Sequence, residues 1–186
     1  MQIMTARLLI RDEMHDDLDA FYEIDSDPEV VRYVSYGPWT REECQRDLAF
    51  HIEEQHASPR TSYYLAMILR KEERLIGGCS LVIVSRRHRE GELGYGLNRN
   101  YWGYGYATEA AQALLAFGFT TLQLHRIFAT CHPENKGSER VMQKIGMRKE
   151  GHLRENKWGK GAWRDSLLYA IIESDWKPDQ SPILSL

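Results

Sequence analysis

The sequence predicts an α/β protein: a mixed sheet, part antiparallel and part parallel, with helices on its faces. Three observations carry that expectation. Short apolar runs alternate along the chain with segments of helical period. Two strand-like runs, residues 62–69 (SYYLAMIL) and 75–84 (LIGGCSLVIV), are separated by a charged turn at 70–74, which calls for an antiparallel hairpin. Later, a strand, a helix and a second strand follow one another over residues 92–131, and such a crossover favours parallel pairing.

The elements follow in order. Residues 5–12 (TARLLIRD) form an apolar run between polar ends and read as the first strand. Residues 16–24 place Leu18, Phe21, Tyr22 and Ile24 at near-helical spacing. Thr40 with Glu43 three positions on is a capping-box pattern. It opens a helix over 41–56, on which Cys44, Leu48 and Ile52 repeat every four residues. Residues 92–97 (ELGYGL) alternate strictly, with Leu93, Tyr95 and Leu97 on one face and Glu92, Gly94 and Gly96 on the other. Gly105 opens a helix to about Phe119, with a core stripe of Tyr106, Ala110, Ala113, Leu114 and Phe117. Residues 126–131 (RIFATC) are another strand. Asn135 begins a helix that stops at Gly146, a natural residue just past a helix end. Final strands are expected over 147–153 and 163–173. A single domain thus spans residues 1–177, and the proline-containing residues 178–186 form its tail.

Bulk properties narrow the function classes. A chain of 186 residues buries roughly 70% of its unfolded surface and needs no disulfide or metal to hold a core. A formal charge of −3 lacks the basic surplus of a nucleic-acid-binding protein. The three cysteines, Cys44, Cys79 and Cys131, form neither a disulfide framework nor a CxxC pair. Cys131 lies near His125 and His132, but no further Cys/His pair completes a metal site, so no metal is expected. No run reaches the length of a membrane span and no signal-peptide pattern opens the chain, so the expected location is cytoplasmic, with no membrane partner.

The central motif is Trp102-Gly103-Tyr104-Gly105-Tyr106-Ala107-Thr108-Glu109-Ala110, which follows a strand and opens a helix. A helix N-terminus exposes unpaired N–H groups and carries partial positive charge. Small residues let that backbone approach an anion closely, and Gly103, Gly105 and Ala107 supply them. The arrangement suits a pyrophosphate; the plain alternative is a turn and helix start with no ligand. No Gly-Lys-Ser/Thr follows, which excludes a Walker loop here. A dinucleotide fingerprint would need a third small residue at Thr108 and an acidic end to the next strand, which instead ends in Cys131-His132.

From residue 7 to about residue 176 the chain resembles the GNAT superfamily of N-acetyltransferases, and most closely its RimJ/RimL-like branch. The matching blocks occur in order: RLLIR, GELGYGL, YWGYGYATEA, HPENKGSERVMQKIGMRKEGHLRE and WRDSLLYAI. The resemblance implies a mostly antiparallel central sheet with a splayed pair of parallel strands, here at 92–97 and 126–131. It implies acetyl-CoA as cosubstrate, with pantetheine pairing to backbone near Tyr95, Gly96 and Leu97. The superfamily's Q/R-x-x-G-x-G/A element falls on Trp102 to Ala107. Trp102 stands at the Gln/Arg position, so the backbone N–H groups from Tyr104 through Gly105, Tyr106 and Ala107 to Thr108 should carry the pyrophosphate.

Acetyl transfer to an amine needs a neutral nucleophile, a stabilised oxyanion and a leaving thiolate. A free α-amino group has a pKa of about 7.7–8, so modest base assistance suffices. By resemblance Glu92 is the base; read alone, it is a charge on an exposed strand face. Asn135 is an apt N-cap with Ser138 three residues on, which explains both as capping. The resemblance adds that Asn135 meets pantetheine and that Ser138 lies near the sulfur as proton donor. Cys131 as an acetyl-enzyme nucleophile is weighed against a small buried hydrophobe, the preferred reading. Tyr33, Tyr36 and Trp39 could line the acceptor side or serve as core anchors, whereas Trp163 and Tyr169 read as structural. The expected partners are acetyl-CoA and a primary amine, either a protein N-terminus or a small molecule, and homodimers occur in such families. The alternatives are a coenzyme A-binding sensor without catalysis and a nucleotide-dependent oxidoreductase.

Overall fold

The computed structural model describes residues 1–177. The tail expected at 178–186 lies outside the described residues. The strands are β1 (Gln2–Met4), β2 (Leu8–Asp12), β3 (Ser62–Leu69), β4 (Arg74–Ser85), β5 (Glu90–Leu97), β6 (Arg126–Cys131), β7 (Arg148–Gly159) and β8 (Ala162–Ile172). The helices are α1 (Leu18–Asp25), α2 (Arg41–Glu54), α3 (Tyr106–Thr120) and α4 (Lys136–Lys144), with three single 3₁₀ turns between elements. The strands make one sheet in the order β1-β2-β3-β4-β5-β6-β8-β7. Every neighbouring pair is antiparallel except β5 and β6, which are parallel. This is the mixed, mostly antiparallel sheet expected, and its single parallel pair is not the run of parallel strands on which a dinucleotide fold is built.

The main core lies between one face of the sheet and α3. Leu65, Met67, Leu81, Leu93 and Ile127 face Ala110, Leu114 and Leu115, all buried. Gly118 allows the close approach, since a Cβ there would sit 2.6 Å from Ile127 Cδ1. Of the predicted stripe of α3, Ala110, Ala113 and Leu114 are buried, while Tyr106 and Phe117 are half-buried and pack against the core. Phe117 lies edge-on to Tyr63, with ring centroids 5.1 Å apart, and Leu115 and Phe119 are buried beside the stripe. A second cluster on the opposite face packs Phe21, Ile24, Cys44 and Leu48 of α1 and α2 against Ala66. The capping box of α2 forms as predicted: Thr40 Oγ1 accepts from Glu43 N–H at 3.2 Å, and Glu43 accepts from Thr40 N–H at 2.8 Å.

Two elements differ from the sequence expectation. The strand predicted over 5–12 begins only at Leu8, and β1 precedes it as a three-residue edge strand. The intervening loop serves α3 instead. Glu109 accepts hydrogen bonds from Thr5 Oγ1 (2.6 Å), Arg7 N–H (2.8 Å) and Arg7 Nε (2.6 Å). β7 continues to Gly159, well past residue 153. It is an edge strand exposed on both faces, so apolar alternation cannot mark its end. Trp163 is likewise not a core residue: it is 58% exposed and packs in a T-shape with Trp158 across the hairpin.

Candidate active site

The site begins where the parallel pair stops. β5 and β6 are in register at Glu90↔Arg126, Gly91↔Ile127 and Glu92↔Phe128, and pairing ends there. Arg126 secures the closed end through ion pairs with Glu90 and with Glu150 of β7. Beyond Glu92 the strands part, leaving a wedge whose open end faces the N-termini of α3 and α4.

At α3 the turn is shaped for an anion. Gly103 and Gly105 both have φ of +84°, a conformation in which an L side chain is strained. Gly105 is the N-cap and supplies no side-chain bond. Among the described residues, none of the N–H groups from Gly103 through Thr108 has an acceptor. A Cβ on Gly103 would meet nothing within 4 Å, so the cradle is open. Arg7 buttresses it from behind: Nη1 donates to Tyr104 O at 2.9 Å, and the guanidinium lies 4.5 Å from the Tyr106 ring centroid. The sequence assigns Arg7 no role at the turn, because its partners lie about a hundred positions away. Trp102 donates its indole N–H to Leu97 O at 2.9 Å. The bond occupies the indole N–H and one of the two lone pairs of the Leu97 carbonyl. Tyr95, Gly96 and Leu97 lie on the parted stretch of β5.

At α4, Asn135 Oδ1 caps the helix by accepting from Ser138 N–H at 3.0 Å, as the capping alternative required. The Ser138 hydroxyl meets a partner that the sequence reading had valued only for its backbone. Tyr95 Oη lies 3.0 Å from both Ser138 Oγ and Ser138 O. Burial pushes the Tyr95 phenol up to about 12, so it stays protonated at neutral pH. Cys131 is buried too, and desolvation raises its thiol to about 11, with the Glu139 charge adding to the effect. A thiol so held is a poor nucleophile.

On the α1/α2 side of the wedge lies a cleft of about 350 Å³. Its floor is Tyr64, Ser80, Val82, Glu92 and Gly94. Its inner wall includes Tyr95 and Ser138, and its rim includes Val34, Thr130 and Lys157. Glu92 and Ser138 thus border one cavity. The floor at Gly94 is low because no side chain fits: a Cβ would sit 2.6 Å from Ser80 Oγ. Of the aromatic candidates for this side, none lines the cleft. Tyr33 stacks on His132 (5.4 Å) and Tyr36 on Trp39 (4.4 Å), and Val34 between them faces the cavity. Tyr64 is held by the flat His51 ring 3.7 Å away, itself 2.8 Å from the buried Glu13 carboxylate. Tyr169 is structural as expected: it is buried and donates to Glu139 at 2.9 Å. Among the described residues no cluster of His, Cys, Asp and Glu has the makings of a metal site, and no helix is long and apolar enough to cross a membrane.

Comparison with known proteins agrees with this geometry. A family model described as an acetyltransferase (GNAT) domain matches residues 7–148. A Bacillus subtilis (strain 168) protein described as the uncharacterized N-acetyltransferase YnaD is 42% identical over 176 residues, covering 95% of this chain and 99% of that protein. The [ribosomal protein uS5]-alanine N-acetyltransferase of Escherichia coli (strain K12) is 30% identical over 119 residues, 63% of this chain and 61% of that one. A solved acetyltransferase (GNAT family) from Bacillus anthracis superposes with a TM-score of 0.82 at 37% identity, covering 94% of this chain and 99% of that one. With the parted parallel strands, the open glycine turn and a matched model over most of its length, the chain belongs to the GNAT family of acetyltransferases.

Proposed function

We propose that this acetyltransferase moves an acetyl group from acetyl-CoA to a primary amine by direct attack within a ternary complex. The observation that carries the reading is the parting of β5 from β6 after Glu92. It opens one wedge onto the unpartnered N–H groups of residues 103–108, the Tyr95–Ser138 pair and the Glu92 cleft. The turn offers a pyrophosphate a row of donors at a helix N-terminus. In this reading the pantetheine arm meets the amide of Asn135 and the parted edge at Tyr95 and Gly96.

In this scheme the amine enters from the α1/α2 side and Glu92 accepts its proton, directly or through one water. The nitrogen forms a bond to the thioester carbon, and the C–S bond then breaks. The Tyr95–Ser138 pair gives a proton to the departing sulfur, either hydroxyl being able to donate and the other to relay, and exchange with solvent then takes the proton from Glu92 and restores the one lost by the pair. The raised Cys131 thiol favours direct attack over an acetyl-cysteine intermediate. The Escherichia coli relative, named for a ribosomal-protein alanine, makes a protein N-terminus one class of acceptor to test.

Calorimetric titration with acetyl-CoA, with NADH as control, tests the cosubstrate; release of free thiol with a panel of amines tests the transfer. Glu92→Gln should lower kcat by about 100-fold or more while leaving the Kd for acetyl-CoA within about twofold. Unchanged turnover removes Glu92 from the mechanism, and absence of saturable acetyl-CoA binding by folded protein overturns the reading as a whole.

A further inference from the structure

The acceptor cleft carries two charges of opposite sign. Among the described residues lining it, Glu92 and Lys157 are the charged ones; the others are apolar, hydroxyl-bearing or glycine. The register places the two on neighbouring strands of the wedge. Glu92 is level with Phe128 of β6. Thr130 lies two residues further along on the same half-buried face as Phe128, which with the spacing between strands sets it about 8 Å or more from Glu92. Lys157 Nζ donates to Thr130 Oγ1 at 2.9 Å. That bond uses one of the three ammonium protons, and two remain to meet a ligand.

The strand that carries Lys157 is fixed against the rim of the cleft. Gly159 packs so tightly on the segment at 31–36 that a Cβ would sit 2.5 Å from Ser35 O. Lys160 Nζ donates to Val31 O at 2.6 Å, and Arg164, the cross-strand partner of Lys157, donates to Arg32 O at 3.3 Å. The neighbouring cations therefore spend donors on backbone carbonyls, whereas Lys157 is anchored on a hydroxyl and faces the cavity.

We infer that the preferred acceptor carries an anionic group, in particular a carboxylate, a few bonds from the amine that is acetylated. The inference rests on the acetyltransfer reading and narrows its substrate. The amine sits over Glu92 and the carboxylate meets the Lys157 ammonium. Two sources present that chemistry: a free α-amino acid, and a peptide N-terminus with an acidic residue at its second position.

The test compares matched acceptors with the full chain and acetyl-CoA, following thiol release and expressing kcat/KM per unprotonated amine. One pair is L-leucine against L-leucinamide; the other is the peptide Ala-Glu-Ala-Ala against Ala-Gln-Ala-Ala, both amidated at the C-terminus. The carboxylate-bearing member of at least one pair should be preferred about three- to tenfold, the size of a charge-assisted contact at a part-exposed site. Lys157→Arg should keep the preference and Lys157→Glu should reverse it. Which pair responds identifies the source. A ratio near one in the unaltered protein, or the same ratio in Lys157→Glu, overturns the inference. So does saturable acetyl-CoA binding with turnover of only uncharged or cationic amines, or of none. Calorimetry on the same samples reports coenzyme binding separately, so failure of the underlying reading shows as loss of that binding in the unaltered protein.

Discussion

Replacing Gly105 by alanine isolates what the left-handed turn contributes. The φ of Gly105 is +84°, and an added Cβ would meet only Arg7 Nη2, at an ordinary 3.5 Å. Steric crowding is therefore not the cost; backbone conformation is. Holding an L residue in that region costs about 1–2 kcal/mol. In a domain of this size each kcal/mol moves Tm by roughly 2–4 °C, so Gly105→Ala should melt about 2–8 °C lower. The turn can escape the strain only by rotating the peptide planes on either side of Gly105, and that rotation turns the free N–H groups of the cradle away from a common point. Acetyl-CoA affinity should accordingly fall at least about tenfold, read by calorimetry and by loss of the coenzyme-induced rise in Tm. Gly151→Ala is the control: no atom lies within 4 Å of its Cβ position and its φ is not positive, so both readouts should stay at their original values. Wild-type affinity in a Gly105→Ala protein that still folds would refute the claim that this backbone geometry makes the anion site.

Three other outcomes follow, two from contacts described above and one from Asp25, a half-buried carboxylate at the end of α1. Tyr95→Phe deletes the bond to Ser138 and should slow turnover about ten- to 100-fold, with little change in acetyl-CoA affinity; if it and Ser138→Ala both leave kcat intact, the proton reaches the sulfur from elsewhere. Burial works against the charge on Glu109, but hydrogen bonds from Thr5 and Arg7 outweigh it and hold the carboxyl below its usual range. Glu109→Ala strips three donors of their acceptor and should cost about 1–3 kcal/mol in urea denaturation, discounted because Arg7 is partly exposed. Desolvation, and then the charges of Asp47 and Glu13, raise Asp25 to about 7. The folded chain thus keeps a proton that the unfolded chain sheds near pH 4. The stability from Asp25 is full below that point and disappears as pH rises to about 7. Asp25→Asn should flatten that slope, gaining on the unaltered protein between pH 5 and 8; an unchanged slope would assign the titration to another group.

Sequence periodicity sufficed where a segment has one wet and one dry face. β3 and β6 lie at their predicted bounds, and the capping pattern at Thr40 and Glu43 located the start of α2. It failed at the sheet edges, where β1 is too short to show a period and β7 is exposed on both faces. The glycine turn was legible because its requirement is conformational, and only glycine meets it without strain. Arg7, Tyr64 and Lys157 were not, because each acts on a residue brought near by folding: Arg7 on Tyr104, Tyr64 through His51, and Lys157 on Thr130. Tyr95 was half legible; alternation placed it on β5, but only the packing of α4 against the wedge gives its hydroxyl a partner in Ser138.

The parting of β5 from β6 also bears on mechanics. The sheet is two plates, β1 to β5 and β6 with β8 and β7, joined directly through three residue pairs at one end of a seam. A ligand lying along that seam would touch both plates and stiffen them as a unit. Amide hydrogen exchange would then slow in β8, which borders β6 on its far side and lines no part of the wedge.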